Sequence, residues 1–315
     1  MTVFEDILLQ YPSAPWDWQQ VSANPSVSFQ FIIDHPELPW VPRYVSKNIN
    51  VTESIVRDHL YYEWDYESLC FNPNMSFKFF NEFIIKPDAM LRVDWHAISA
   101  NPSIYMIDVI SHPQLLWIDR YLSINPNLTS NFILNEGRHR QWCVPLVCSN
   151  PGITARDIFK STLKSMFDWD YRNLSANPNI PIKYVCDRPD REWNYHSIST
   201  NASLTDIQKY HQIDWDAHGL SMNANINIEY VRSHPDVRWY RPALLSNANI
   251  SISSIENNYR LFSDDWSDPY PVEFYISSNP SITPSWISRN KKNVNWKRLS
   301  ANAITKQRPP QADSY

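Results

Sequence analysis

The sequence predicts an all-α fold, an α-solenoid of about twelve short helix-pair repeats of about 25 residues each. Three observations predict it. Asn recurs in one fixed context at Asn24, Asn48, Asn72, Asn101, Asn125, Asn150, Asn177, Asn201, Asn223, Asn247, Asn279 and Asn302, at intervals of 24, 24, 29, 24, 25, 27, 24, 22, 24, 32 and 23 residues. Eight residues before it stands Trp in nine of the twelve repeats: Trp16, Trp40, Trp64, Trp117, Trp142, Trp169, Trp193, Trp215 and Trp239. Three residues before it the position is always aliphatic, from Val21 and Val45 to Ile276 and Leu299. About three residues after it comes another apolar residue, from Val27 through Met75 and Ile153 to Ile304. A fixed period of this size is the signature of stacked supersecondary units, each too small to bury its own apolar face.

Residues 1–15 precede the first repeat and carry Val3, Phe4, Ile7 and Leu8. They predict an N-terminal cap helix, because terminal repeats are expected to be atypical. Residues 16–305 hold the repeats. Within each, the Asn marks a chain reversal: Pro follows it in seven repeats and Ala in four, and a residue before Pro is pushed out of the helical region. Four residues beyond the Asn most repeats place Ser, Thr or Asn, as at Ser28, Thr52, Thr129, Thr154, Thr205 and Thr283. Such side chains accept a hydrogen bond from an orphan helix N–H.

A short helix follows with one apolar face (Phe31 and Ile32, Tyr230 and Val231), and Pro36, Pro87, Pro113, Pro189 and Pro235 mark its end. A shorter helix then starts at Trp-Asp-Trp or a similar segment and leads into Ser-x-Asn-Pro. Helices this short are marginal alone, so stacking must supply the core. Where the Trp is missing, Trp95 and Trp296 stand two residues later, and Trp266 stands five residues early, marking a short insertion. Residues 306–315 read as a flexible polar tail.

Composition excludes several classes. Apolar residues make up 43% of the 315, enough for a continuous core. Gly is confined to Gly137, Gly152 and Gly219, so neither Gly-rich phosphate-binding motif can be written. Net charge is −5 and the pI about 6.0, which disfavours a polyanion binder. No apolar run approaches the roughly 18 residues of a membrane span, and the first ten residues lack the basic and apolar regions of a signal peptide. Four cysteines are too few for a disulfide framework at this length. These features predict a soluble intracellular protein.

The segments WDWQQVSANPSVS (Trp16–Ser28), VDWHAISANPSI (Val93–Ile104), WDYRNLSANPNI (Trp169–Ile180) and SSNPSIT (Ser277–Thr283) resemble the tandem S-x-N-P-x-I-T…W-D-W repeat proteins of large nucleocytoplasmic DNA viruses, the giant-virus and iridovirus-like group. The resemblance covers about residues 16–305. It implies a viral, non-enzymatic repeat protein and transfers no catalytic residue. The repeats with Asn-Ala, and the one around Trp266, depart from that consensus.

Each residue type that carries chemistry has a structural reading beside it. The Asn series is expected to satisfy backbone groups at the turns. Two residues earlier the position is Ser in nine repeats, and Cys70 and Cys148 replace it in two, so these thiols read as isosteres. Cys186 falls on a predicted helix, and Cys143 and Cys148 have no partner pair at metal-site spacing. His35, His112 and His234 each precede Pro at one repeat position, three and five repeats apart, and suit helix C-termini. His139 belongs to a basic turn, Arg138 to Arg140. Asp17, Asp65, Asp94, Asp170 and Asp216 recur beside Trp and fit helix N-termini better than a catalytic pair. Six Asn-x-Ser/Thr sequons, at Asn50, Asn74, Asn127, Asn173, Asn201 and Asn249, read as by-products of the turns.

From Arg289 to Arg308 run seven basic residues and no acid. Within that run Arg289, Lys291, Lys292, Lys297 and Arg298 are the candidate contacts for an acidic protein surface or for nucleic acid. The expectation is therefore a scaffold for protein partners, viral or host, in the host cytoplasm or the virion. It carries no catalytic residue, metal or cofactor. Single-stranded nucleic-acid binding is the alternative, since Trp and Tyr can stack bases. An enzyme is left only the irregular stretches, residues 72–101 and 247–279.

Overall fold

A computed structural model describes residues 1–85, 93–160, 162–263 and 269–304, and among these every regular element is helical. Pro87, Trp266, Lys306, Arg308 and the 306–315 tail lie outside the described residues. The chain forms two compact units. One joins Met1–Val51 with the described residues from Ser221 onward; the other is Thr52–Leu220.

The helices start where the sequence places their caps. Ser28, Thr52, Ser76, Thr129 and Thr283 each accept a hydrogen bond from the backbone N–H three residues on. Asp17, Asp65, Asp94 and Asp170 do the same for the shorter helices, satisfying donors that have no intrahelical acceptor. Thr205 departs from this pattern. It lies inside helix Leu204–Lys209, and Ser203 provides the cap.

The recurring Trp locks the link between the two helices of a repeat. Its indole N–H donates to the carbonyl five residues back: Trp16 to Tyr11 at 2.9 Å, Trp40 to His35 at 2.8 Å, Trp117 to His112 at 2.8 Å and Trp239 to His234 at 3.0 Å. The rings of Trp16, Trp64, Trp117 and Trp193 are otherwise buried. Trp215 is the exception, its buried indole nitrogen having no acceptor.

Within each unit, consecutive repeats are tied by two polar side chains. The Ser two before the Asn donates to the carbonyl four residues back, as Ser123 does to Asp119 at 2.7 Å. Its oxygen also accepts the backbone N–H at the start of the next short helix: Val41 on Ser22 at 3.0 Å, Ile118 on Ser99 at 3.0 Å, Asn194 on Ser175 at 2.8 Å. The Asn amide reaches back to the preceding turn. Asn125 donates to the carbonyls of Ser99, Asn101 and Ile104, while its oxygen holds the Asn127 N–H at 2.9 Å. Aliphatic residues such as Leu122, Ile98 and Val147 fill the space beneath, fully buried.

The first and last repeats are joined by the same bonds. Asp17 N–H donates to Ser300 Oγ at 2.9 Å, and the Asn24 amide donates to the carbonyls of Ser300 and Asn302 at 2.8 and 3.0 Å. Trp16 meets Trp296 edge-on, ring centres 5.0 Å apart. Helix Val3–Gln10 and the Tyr11 that follows it have neighbours on both sides. Thr2 Oγ1 donates to Ser26 O, and buried Glu5 accepts from Ser28 N and Oγ, both at 2.8 Å. On the other side Tyr11 pairs with Ser288, hydroxyl to hydroxyl, at 2.9 Å. Phe4, Ile7 and Leu8 are buried; Val3 is only half-buried.

Candidate functional site

The residues that recur most are consumed internally. Eleven of the twelve repeat Asn are buried, from Asn24 and Asn48 to Asn279 and Asn302. Asn201 is exposed and makes one long contact, 3.4 Å to Ala176 O. The cause is the 22-residue interval that follows it. Helix Tyr195–Asn201 keeps an α-helical bond into Ala202, at 2.9 Å from Ile198 O, where other repeats tighten, as Asn24 does onto Val21 O. The next helix is then capped immediately by Ser203, so no room is left for the usual turn.

The cysteines fit their reading as Ser isosteres. Cys70 Sγ donates to Tyr66 O at 3.4 Å, the bond its Ser counterparts make. Burial pushes the Cys70 thiol up to about 12 and the Cys148 thiol up to about 11. Cys143 and Cys186 are part-exposed, and all four cysteines are free. His35, His112 and His234 end helices: their carbonyls receive the Trp N–H. The rings of His112 and His234 turn back onto Asp108 O and Tyr230 O, at 3.1 and 2.9 Å. Of the basic turn, Arg140 pairs with Asp119 at 2.7 Å.

The five basic candidates do not form one uniform patch. Arg289 pairs with Glu256 at 3.3 Å. Lys291 lies over the Tyr11 ring at 5.3 Å, and Arg298 lies over the Phe274 and Tyr275 rings at 4.7 and 5.0 Å. Lys292 and Lys297 are exposed. Three of the five cations thus lean on neighbouring side chains, including one from the N-terminal segment.

Sequence reasoning missed a different cluster. His196, Asp216 and His218 converge in the Thr52–Leu220 unit, one ligand-type atom from each lying within 4.8 Å of the others. His196 Nδ1 is 2.8 Å from Asp216 Oδ1, and the two imidazoles stack at 5.2 Å with planes 23° apart. The Asp216 carboxyl is held below its usual range, first by the Gly219 N–H and then by His196. The signal was present: both histidines stand five residues before a repeat Asn, 22 residues apart. The His-Pro series occupies a different register, its members three and five repeats apart, whereas His196 and His218 lie in adjacent repeats.

Searches against family models, curated proteins and solved structures find no match to this chain.

Proposed function

We propose that the protein is an α-solenoid scaffold of about twelve repeats that binds protein partners and performs no chemistry of its own. One observation carries the reading: Asn, Ser, Trp and Asp, the residues held constant, are spent on hydrogen bonds that join and cap the repeats. What varies from repeat to repeat is the exposed face. At one position, five before the Asn, it presents Arg43, Glu67, His96, Arg172 and Lys297 in turn. A surface of that kind suits recognition of an extended partner.

The resemblance to viral tandem repeats supports a role in the virion or as an adaptor acting on host proteins in the host cytoplasm. No helix among the described residues is long and apolar enough to cross a membrane. Single-stranded nucleic acid is the weaker reading, because the Trp rings that would stack on bases are largely in the core.

The test is affinity purification from infected cells with the wild type and a Lys292→Glu, Lys297→Glu variant. Loss of one defined protein partner from the variant supports the reading. Recovery of nucleic acid alone, removed by nuclease, would overturn it.

A further inference from the structure

We propose that His196, Asp216 and His218 form a binding site for a divalent transition-metal ion, best suited to Zn²⁺. The inference goes beyond the scaffold reading and does not depend on it.

Donor chemistry selects the class of ion. Two imidazoles and one carboxylate suit Zn²⁺ and its neighbours, whereas Mg²⁺ and Ca²⁺ require sets of oxygen ligands. A tetrahedral Zn²⁺ bound at about 2.0–2.2 Å holds its ligand atoms roughly 3.3–3.6 Å apart. The three donors lie within 4.8 Å of one another, so closing on an ion takes side-chain rotation of about an ångström. Three protein ligands leave the fourth position to water or to a group on a partner.

The backbone is built to bring the histidines together. Their repeats are separated by the shortest interval in the chain, 22 residues. Gly219 follows His218, at a position where the other eleven repeats carry a side chain. A Cβ on Gly219 would lie 2.5 Å from His196 O and 2.9 Å from Ser199 Cβ. Only glycine allows helix Ala217–Met222 to lie this close to the backbone of helix Tyr195–Asn201. That approach places one imidazole over the other.

Asp216 is anchored before any ion arrives. Its N–H donates to Ser199 Oγ at 2.9 Å, and its Oδ1 accepts from Gly219 N at 2.6 Å. Such outer hydrogen bonds hold a ligating carboxylate in orientation. A simple His196–Asp216 ion pair would account for two of the three groups. The second imidazole, stacked on the first, brings a third ligand-type atom to the same place.

The test is isothermal titration of the full chain, stripped with chelator, with Zn²⁺. The expected result is one equivalent bound, not displaced by millimolar Mg²⁺. His196→Ala and His218→Ala should each weaken binding by roughly tenfold or more. Asp216→Asn keeps a side chain that caps helices equally well, so its loss of affinity reports the ligand and not the fold. Histidine-selective NMR should show two of the nine His shifting with Zn²⁺. No uptake of Zn²⁺, or uptake undiminished in the His196→Ala, His218→Ala double variant, would overturn the proposal.

Discussion

The Asn24 side-chain amide donates to the Asn302 backbone carbonyl at 3.0 Å, across 278 residues of sequence. Asn48 makes the same bond to Asn24 O, also at 3.0 Å, across 24 residues. Contacts that elsewhere join successive repeats here join the first to the last.

Asn24→Ala should therefore cost as much as an interior substitution such as Asn125→Ala. Each removes donors from two or more buried carbonyls, a loss of about 2–4 kcal/mol. Urea unfolding of the two variants checks this; a cost below about 0.5 kcal/mol for Asn24→Ala would mean the junction is not formed in solution. Asn201→Ala, at an exposed position, should change stability by less than about 0.5 kcal/mol.

Gly152→Ala should destabilise by about 1–3 kcal/mol or more. A Cβ there would lie 2.1 Å from Leu128 O and 2.8 Å from Pro126 O, both backbone atoms of the preceding turn. Thermal unfolding reads the effect, and an unchanged midpoint would show that the turn can move aside.

Cys70 and Cys148 should resist thiol reagents at pH 8 in the folded protein, while the part-exposed Cys143 and Cys186 react first. Mass spectrometry of alkylated peptides distinguishes them.

The same two thiols make stability fall in alkali. Their folded values, about 12 and about 11, lie above the unfolded value of 9.0. Above pH 9 the unfolded chain has lost protons that the folded chain still holds, so the slope of unfolding free energy against pH is negative. Below pH 9 both states are protonated and the effect vanishes. The fall approaches about 1.4 kcal/mol per pH unit for each thiol. Between pH 9 and 10, a Cys70→Ser, Cys148→Ser variant should show a flatter profile than the parent; identical slopes would rule out the thiols as the source.

Much of this structure is legible in the residues because one short pattern does several jobs at once. Pro after Asn stops a helix, Ser28 or Thr283 starts the next, and Trp40 reaches back to His35 within the same repeat. All are local events that a linear reading captures. Asn201 matches the consensus in its letters, but the spacing to Ser203 decides whether a turn exists. The Asn24–Asn302 bond was invisible for another reason: periodicity says which repeats are alike, not that the first lies beside the last. His196 and His218 required both kinds of information, equivalent register and unusually close helices, the second coming from the missing side chain of Gly219.

The split composition of one compact unit also orders events during synthesis. Residues 1–51 leave the ribosome before their partners on one side, around Trp296 and Ser300, which emerge some 250 residues later. Thr52–Leu220 is complete well before then. Contacts between distant segments close slowly, because chain entropy is lost before the contacts form. Helix Val3–Gln10, bound early to Ser26 and Ser28, thus waits for its second neighbour until the segment around Ser288 and Trp296 is made.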